Sequence, residues 1–436
     1  MSKASVSPIL SLICAFGLMV TGACSKDAPG DHGQPPGGDD ASTASGGANL
    51  DWPPREVIIE SPFLGPQTCP VMQQERHVIV GRDGSVFAVS EPDGQTTITK
   101  CTADGQVWSV ALGKADEVAI RSMDADAEGN LYFGQRPPGL VGKVSSDGSL
   151  AWSVSAPPDT GVLGVAATGD GVYVIGVTKK ALPDQPPGSK GGHFIAKFDA
   201  AGKREWLRQS REFGRRNEHS SLVLDGSGGV FVKTAGKMLR LDEDGAMLPA
   251  LGTKFTRGQV LVDVDAEGTI YTSRFKRGAI ALTKRTPAGE TLWTTSLEEK
   301  HSRTIDPFEG FSWHGELRGG YFIPSADTLY YVSDYRNSYK HRSQSRKTHD
   351  DVCVLALDPD NGRARWVRQY RVAPVESPER RVDFSRVGSV PAPDGGLFIL
   401  GRANQGPWLK DGSYRSSEQD ITEVAFRVDR DGNLVN

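Results

Sequence analysis

The feature that most constrains this chain is a doubled internal repeat. A segment returns seven times as a strand-like run, a turn carrying Asp and usually Gly, and a second run with an aromatic. It reads GRDGSVFAV (81–89), DAEGNLYFG (126–134), TGDGVYVIG (168–176), DGSGGVFVK (225–233), DAEGTIYTS (265–273), SADTLYYVS (325–333) and PDGGLFILG (393–401). A second segment alternates strictly with it, another Asp/Gly turn followed by a strand that usually carries Trp. It reads TADGQVW (102–108), SSDGSLAW (145–152), DAAGKREW (199–206), DEDGAML (242–248), TPAGETLW (286–293), DPDNGRARW (358–366) and DRDGNLV (429–435). Two hairpins per unit make four strands, and seven such units predict an all-β fold: a seven-bladed β-propeller of four-stranded antiparallel blades.

The local chemistry agrees with that arithmetic. Gly, and to a lesser extent Asp, tolerates the positive φ that tight hairpins need. The chain holds 51 Gly in 436 residues, well above the usual share of about 7 %. Runs such as VYVIGV (172–177) and FIAKF (194–198) are β-branched and aromatic with a period near two, as strands require. Trp108, Trp152, Trp206, Trp293 and Trp366 fall on one repeat position and are expected in the core between blades. Leu248 replaces Trp in unit four, and unit seven ends at Asn436 before reaching the position. The last blade is therefore expected to be completed by a segment from near the N-terminus, Arg55–Glu60 (REVIIE), with 55–74 as a closing or capping segment.

The N-terminus reads as an address. An apolar run from Pro8 to Ala23 is too short to span a bilayer and ends in small residues before a Cys. The stretch Val20-Thr21-Gly22-Ala23-Cys24-Ser25 resembles a bacterial lipobox, which implies lipidation of Cys24 after removal of 1–23. Thr21 departs from the aliphatic residue of that motif, so export with Cys24 unmodified is the alternative. Residues 24–54 are rich in Gly, Pro, Asp and Ser and bury too little to order themselves. They are expected to form a disordered tether, leaving an exported, membrane-anchored protein facing the periplasm or the cell surface.

The repeat pattern resembles the seven-bladed propeller repeats of bacterial exported lipoproteins, and ALDPDNGRARW (356–366) is similar to the repeat of quinoprotein-type propellers. The resemblance covers residues 75 to 436, and its motifs specify turns and packing rather than activity. It implies the fold strongly and activity hardly at all; the function expected of this chain is a binding or scaffold module acting through the long loops of one face. The alternatives are an envelope hydrolase or lyase acting on glycans, and an accessory lipoprotein of outer-membrane protein assembly. A protein or glycan ligand, a membrane contact through the N-terminal lipid and a monomeric state follow from this reading. The formal net charge of −4 gives no global field for nucleic acid.

Candidate binding residues come from blade topology. Both Asp/Gly turns of each unit lie on one face, so the long connections gather on the other, where function concentrates. Trp313 and His314 (FSWHGE) and Trp408 (GPWLKDG) are expected in such loops. So is the basic-aromatic stretch YRNSYKHRSQSRKTH (335–349), with Tyr335, Tyr339, Arg342, Arg346 and Lys347. No catalytic motif or metal-ligand spacing is found. Asp124-x-Asp126-x-Glu128-Gly129 and Asp263-x-Asp265-x-Glu267-Gly268 begin like calcium loops. Position twelve would fall on Gln135 and Arg274, so turn chemistry is the reading and no cofactor is expected, with calcium the alternative. Cys69 and Cys101 are expected to form a disulfide, and Cys353 to be a buried apolar residue.

Overall fold

The computed structural model describes residues 55–59 and, with interruptions, 77–435. The longer stretches outside the described residues are 1–54, 60–76, 186–190, 214–220, 234–237, 249–258, 307–310, 341–346, 373–379 and 408–419. Seven sheets follow one another along the chain, each containing four consecutive antiparallel strands, and the sixth carries two strands more. Blade 1 begins with His77–Val80, blade 2 with Ile120–Ala125, blade 3 with Thr160–Ala167 and blade 4 with Ser221–Leu224. Blade 5 begins with Gln259–Val264, blade 6 with Phe311–Pro324 and blade 7 with Arg380–Pro391. These first strands touch their neighbours in order, and that of blade 7 touches that of blade 1. The circuit is a closed ring, the seven-bladed propeller expected from the repeats.

Six of the seven blades are locked internally by one cross-strand pair. The aromatic of the second strand lies opposite a cation of the third, as with Phe87 and Lys100, Tyr173 and Lys197, or Phe398 and Arg427. The cation sits over the ring at 5.3, 5.8 and 5.5 Å in these three blades. It also reaches the carboxylate of the first turn, Lys100 to Asp83 at 3.2 Å and Arg427 to Asp394 at 2.6 Å. Blade 6 departs from the pattern, with Ala356 opposite Tyr330. There Arg430 of blade 7 supplies the cation, pairing with Asp327 at 3.0 Å.

The Trp positions join one blade to the next. Trp108 Nε1 donates to Ser146 O of blade 2 at 2.9 Å, and Trp152 to Ala200 O of blade 3 at 3.0 Å. Trp206, Trp293 and Trp366 donate in the same way to Glu243, Pro359 and Arg430. In the five Trp-bearing blades, the pairing of third and fourth strands slips by one residue immediately before the Trp. The extra residue is Val107, Ala151, Glu205, Leu292 or Arg365. Blades 4 and 7 lack both the Trp and the slip. A β-bulge re-aims the side chain that follows it, and here it turns the indole onto the next blade.

One expectation is overturned. Arg55–Ile59 does not complete blade 7, whose fourth strand is its own Leu434–Val435. It pairs in parallel with Ala364–Val372, the fourth strand of blade 6, with Arg55 opposite Arg368 and Ile59 opposite Val372. Ile59 is buried among Val352, Tyr370, Ile399 and Val424, the core shared by blades 6 and 7. The seam between these two blades thus gains an apolar anchor, and the edge of the blade-6 strand is covered. The ring closes without strand exchange.

Cys353 is a free, buried thiol, and burial pushes its pKa up. Cys101 is disulfide-bonded and fully buried; Cys69, its expected partner, lies outside the described residues. Among the described residues no helix is long and apolar enough to cross a membrane.

Candidate functional site

Blades 6 and 7 are built to a different length from the rest. In blade 2 the second strand, Leu131–Gln135, has 5 residues. In blade 6 it runs from Leu329 to Lys340 over 12 residues, and in blade 7 from Leu397 to Pro407 over 11. At about 3.3 Å per residue the excess raises these strands by roughly 20 Å, on the face opposite the Asp/Gly turns. The pairing in blade 6 continues without slippage from Leu329–Leu357 to Tyr339–Lys347. Residues expected in mobile loops therefore lie on an ordered hairpin. A further strand, Lys300–Asp306, pairs with the raised part of Phe311–Pro324, so this sheet has six strands in all.

Trp313 and His314 lie on the raised strand, opposite Tyr339 and Ser338, rather than in a loop. Tyr339 and Lys347 face each other as the last pair before the tip. Arg342, Arg346 and Trp408 lie outside the described residues, as does Cys24. Tyr335 is the clear departure from expectation: it is fully buried and packs with Phe322, Tyr331 and Cys353, so it belongs to the core and not to a binding surface. The basic and polar residues around it are what make 335–349 read as a connection on the binding face.

The base of the hairpin is tied by charge. Arg336 Nε and Nη2 donate to Asp350 Oδ1 and Oδ2 at 2.7 and 2.8 Å, a bidentate pair between facing strand positions. Beside it Asp351 is fully buried; Gln369 Nε2 donates to its Oδ2 at 2.6 Å, and Arg371 Nε lies 3.7 Å from Oδ1. Desolvation raises the Asp351 pKa to about 7 against the opposing pull of Arg371 and Gln369. Sequence reasoning missed this set. The only signal available was the pairing of charges three to four residues either side of the basic tip, which is visible once the hairpin register is known.

The calcium-like segments are used as turn chemistry. Asp126 accepts from the backbone and side-chain nitrogens of Asn130, both at 2.8 Å, and Asp265 accepts from Thr269 N and the Tyr271 hydroxyl. Asp124 Oδ2 accepts from Ala167 N of blade 3 at 2.8 Å, joining two blades. Among the described residues no group of three or more His, Cys, Asp or Glu is placed to hold a metal ion.

No curated protein matches the chain. Among solved structures it is similar to a streptogramin B lyase, at 12 % identity and a TM-score of 0.43, covering 84 % of this chain and 95 % of that one. A virginiamycin B lyase from Staphylococcus aureus gives 11 % and 0.43, covering 75 % and 91 %. Prolyl oligopeptidase B from Galerina marginata gives 11 % and 0.42, covering 76 % of this chain and 46 % of the other. A family model described as "Outer membrane protein assembly factor BamB" matches residues 82–368, well over half of the chain and the part that holds six of the seven first turns. The chain belongs to that family.

Proposed function

We propose that this protein is an exported, membrane-anchored scaffold of the cell envelope. In this reading it binds a partner protein of the outer-membrane assembly machinery on the raised strands of blades 6 and 7. The family description supports the class of partner. The observation that carries the location is the unbroken blade-6 hairpin, which holds Lys340 and Lys347 at the rim of its tip and leads into Arg342 and Arg346. A held hairpin presents its charges with less ordering entropy lost on binding than a free loop would. Basic residues at such a rim speed and orient association with an acidic surface.

The test is capture from the protein's own envelope with the full chain, beside R342E/R346E/K347E. The substitutions stay at the tip because Tyr335 and Arg336 belong to the packing below it. Loss of the captured assembly partner in the variant, with unchanged melting, is the expected result. Equal capture by both proteins excludes the tip.

A further inference from the structure

The opposite face carries a feature that the scaffold reading does not use. The C-terminal ends of the seven first strands and the Asp/Gly turns that follow them enclose an axial cavity of about 1710 Å³. Its walls are mixed, with Val80, Val165, Leu224, Val264, Ile323 and Val390 from six different blades set between polar groups such as Thr168, Ser325 and Ser389. Carboxylates are set into and around them: Asp124 and Asp265 on the wall, Asp170 and Asp360 exposed towards the mouth.

Three cations also line the cavity, and two are spent within the fold. Lys284 Nζ donates to Pro359 O at 2.9 Å, and Arg430 pairs with Asp327 and donates to Asp394 O at 2.6 Å. Arg82 is exposed at the edge. The turns around the mouth carry further exposed carboxylates, Glu128, Glu243 and Asp244 among them. Among the described residues the turns of this face carry more exposed carboxylates than exposed cations such as Lys203 and Arg363, even with Asp170 paired to Lys197 at 3.3 Å, so the face is acidic although the molecule as a whole is near neutral.

We propose that this cavity receives a basic, partly apolar segment of a partner protein. Small-molecule pockets occupy about 300–1,000 Å³, so the volume suits several residues of a chain better than one metabolite. The wall chemistry selects the kind of residue. The methylene stems of Lys or Arg lie along aliphatic surface while their charged heads reach for polar groups, and here the heads would meet Asp360 and, in competition with Lys197 at 3.3 Å, Asp170. An acidic segment would meet the same carboxylates with repulsion. The site is on the face opposite the blade-6 tip, so it is independent of the proposed scaffold surface.

The experiment uses the full chain and two short fluorescein-labelled peptides, one of mixed Lys and Val, one of mixed Glu and Val, read by fluorescence anisotropy. The cationic peptide is expected to bind and the anionic one not. Leu222→Trp, which adds bulk to the cavity wall, and Asp360→Lys, which reverses a charge at the mouth, are each expected to weaken binding about tenfold. R342E/R346E/K347E is expected to bind the cationic peptide as the unmodified protein does. Three results overturn the proposal. They are absence of binding by the cationic peptide, equal binding of both peptides, or unchanged affinity in a Leu222→Trp protein that melts normally, which would place the peptide on the outer acidic surface. If Leu222→Trp fails to fold, unchanged binding by Asp360→Lys overturns it instead.

Discussion

Gly202→Ala tests how much the Trp contact between blades contributes. Gly202 closes the second turn of blade 3 with φ +82°, and a Cβ built there falls 2.6 Å from Trp152 Cδ2 and 2.8 Å from Cγ. The left-handed backbone alone costs a non-glycine residue about 1–2 kcal/mol, offset by about 0.4–1 kcal/mol from a stiffer unfolded chain. The clash must then be relieved by moving the indole, which gives up the bond from Trp152 Nε1 to Ala200 O, about 1 kcal/mol. The displaced ring also strains its packing on Phe198 and Tyr132, an overpacking cost of about 1–3 kcal/mol. The expected loss is about 2–5.5 kcal/mol.

Gly94 provides the matched control. It has φ +74° with nothing within 4 Å of its Cβ, so Gly94→Ala should cost only the backbone strain, about 1 kcal/mol. Urea denaturation followed by intrinsic fluorescence compares the two at equal slope. A cycle with Trp152→Leu completes the argument, because Gly202→Ala should cost little more than Gly94→Ala once the indole is gone. Equal losses for the two alanine variants in the native background would refute the claim that the turn glycine serves as a socket for the Trp.

Deleting 55–59, or replacing Ile59 with Asp, should destabilise the protein by roughly 3 kcal/mol or more, since a fully buried aliphatic leaves the blade 6–7 core. Unchanged denaturation would show that the strand only decorates the edge. Asp124 and Asp351 have pKa values raised by desolvation to about 6 and about 7, against backbone bonds to Asp124 and Arg371 near Asp351. The folded state therefore holds their protons longer than the unfolded chain, and stability falls as pH rises from about 4 to 7. D124N/D351N should lack that component, so the native protein should lose stability relative to the variant across this window. Parallel pH curves would contradict it. Cys101→Ser should cost about 2–4 kcal/mol through loss of the disulfide, whereas Cys353 should resist thiol reagents until the protein unfolds; rapid labelling of the native protein would show that it is not buried.

What could be read from the sequence was the part governed by local chemistry. Each Asp/Gly turn is decided within five residues. The backbone bonds Asp199 N to Lys203 O and Gly202 N to Asp199 O, with Asp199 Oδ1 accepting from Ala201 and Lys203, close such a turn without help from the rest of the chain. The same pair of backbone bonds closes eight further turns, and that repetition announces a propeller. The raised strands of blade 6 were not legible because their sequence has no apolar alternation to mark a strand. DYRNSYK (334–340) looks like loop for that reason, and Tyr335 looks exposed because its sequence neighbours Asp334 and Arg336 are charged. The place of Arg55–Ile59 was not legible either. REVII states that it is a strand, but nothing in it distinguishes the outer edge of blade 6 from that of blade 7, which are separated only by tertiary contacts.

The same distinction explains why the Trp and the bulge occur together. A fourth strand in regular register points alternate side chains to alternate faces, and a large residue at this position would follow the pleat. One inserted residue breaks the alternation and turns the following indole onto the neighbour's turn. The inserted residue itself is thrown outward, which accounts for Val107 and Leu292 as exposed apolar side chains at 52 % and 55 %. Neither half of the device is useful alone: a bulge before Leu would strand an outer residue with nothing gained, and a Trp without the bulge would miss its carbonyl. Blade 4, with Leu248 and no slip, drops both together. Its seam with blade 5 then lacks the indole bond present at the five Trp seams. Leu248→Trp by itself should therefore fail to stabilise that seam, while the same change with one residue inserted after Met247 should recover the indole bond. Stabilisation by the single substitution would show that the bulge is incidental to the Trp.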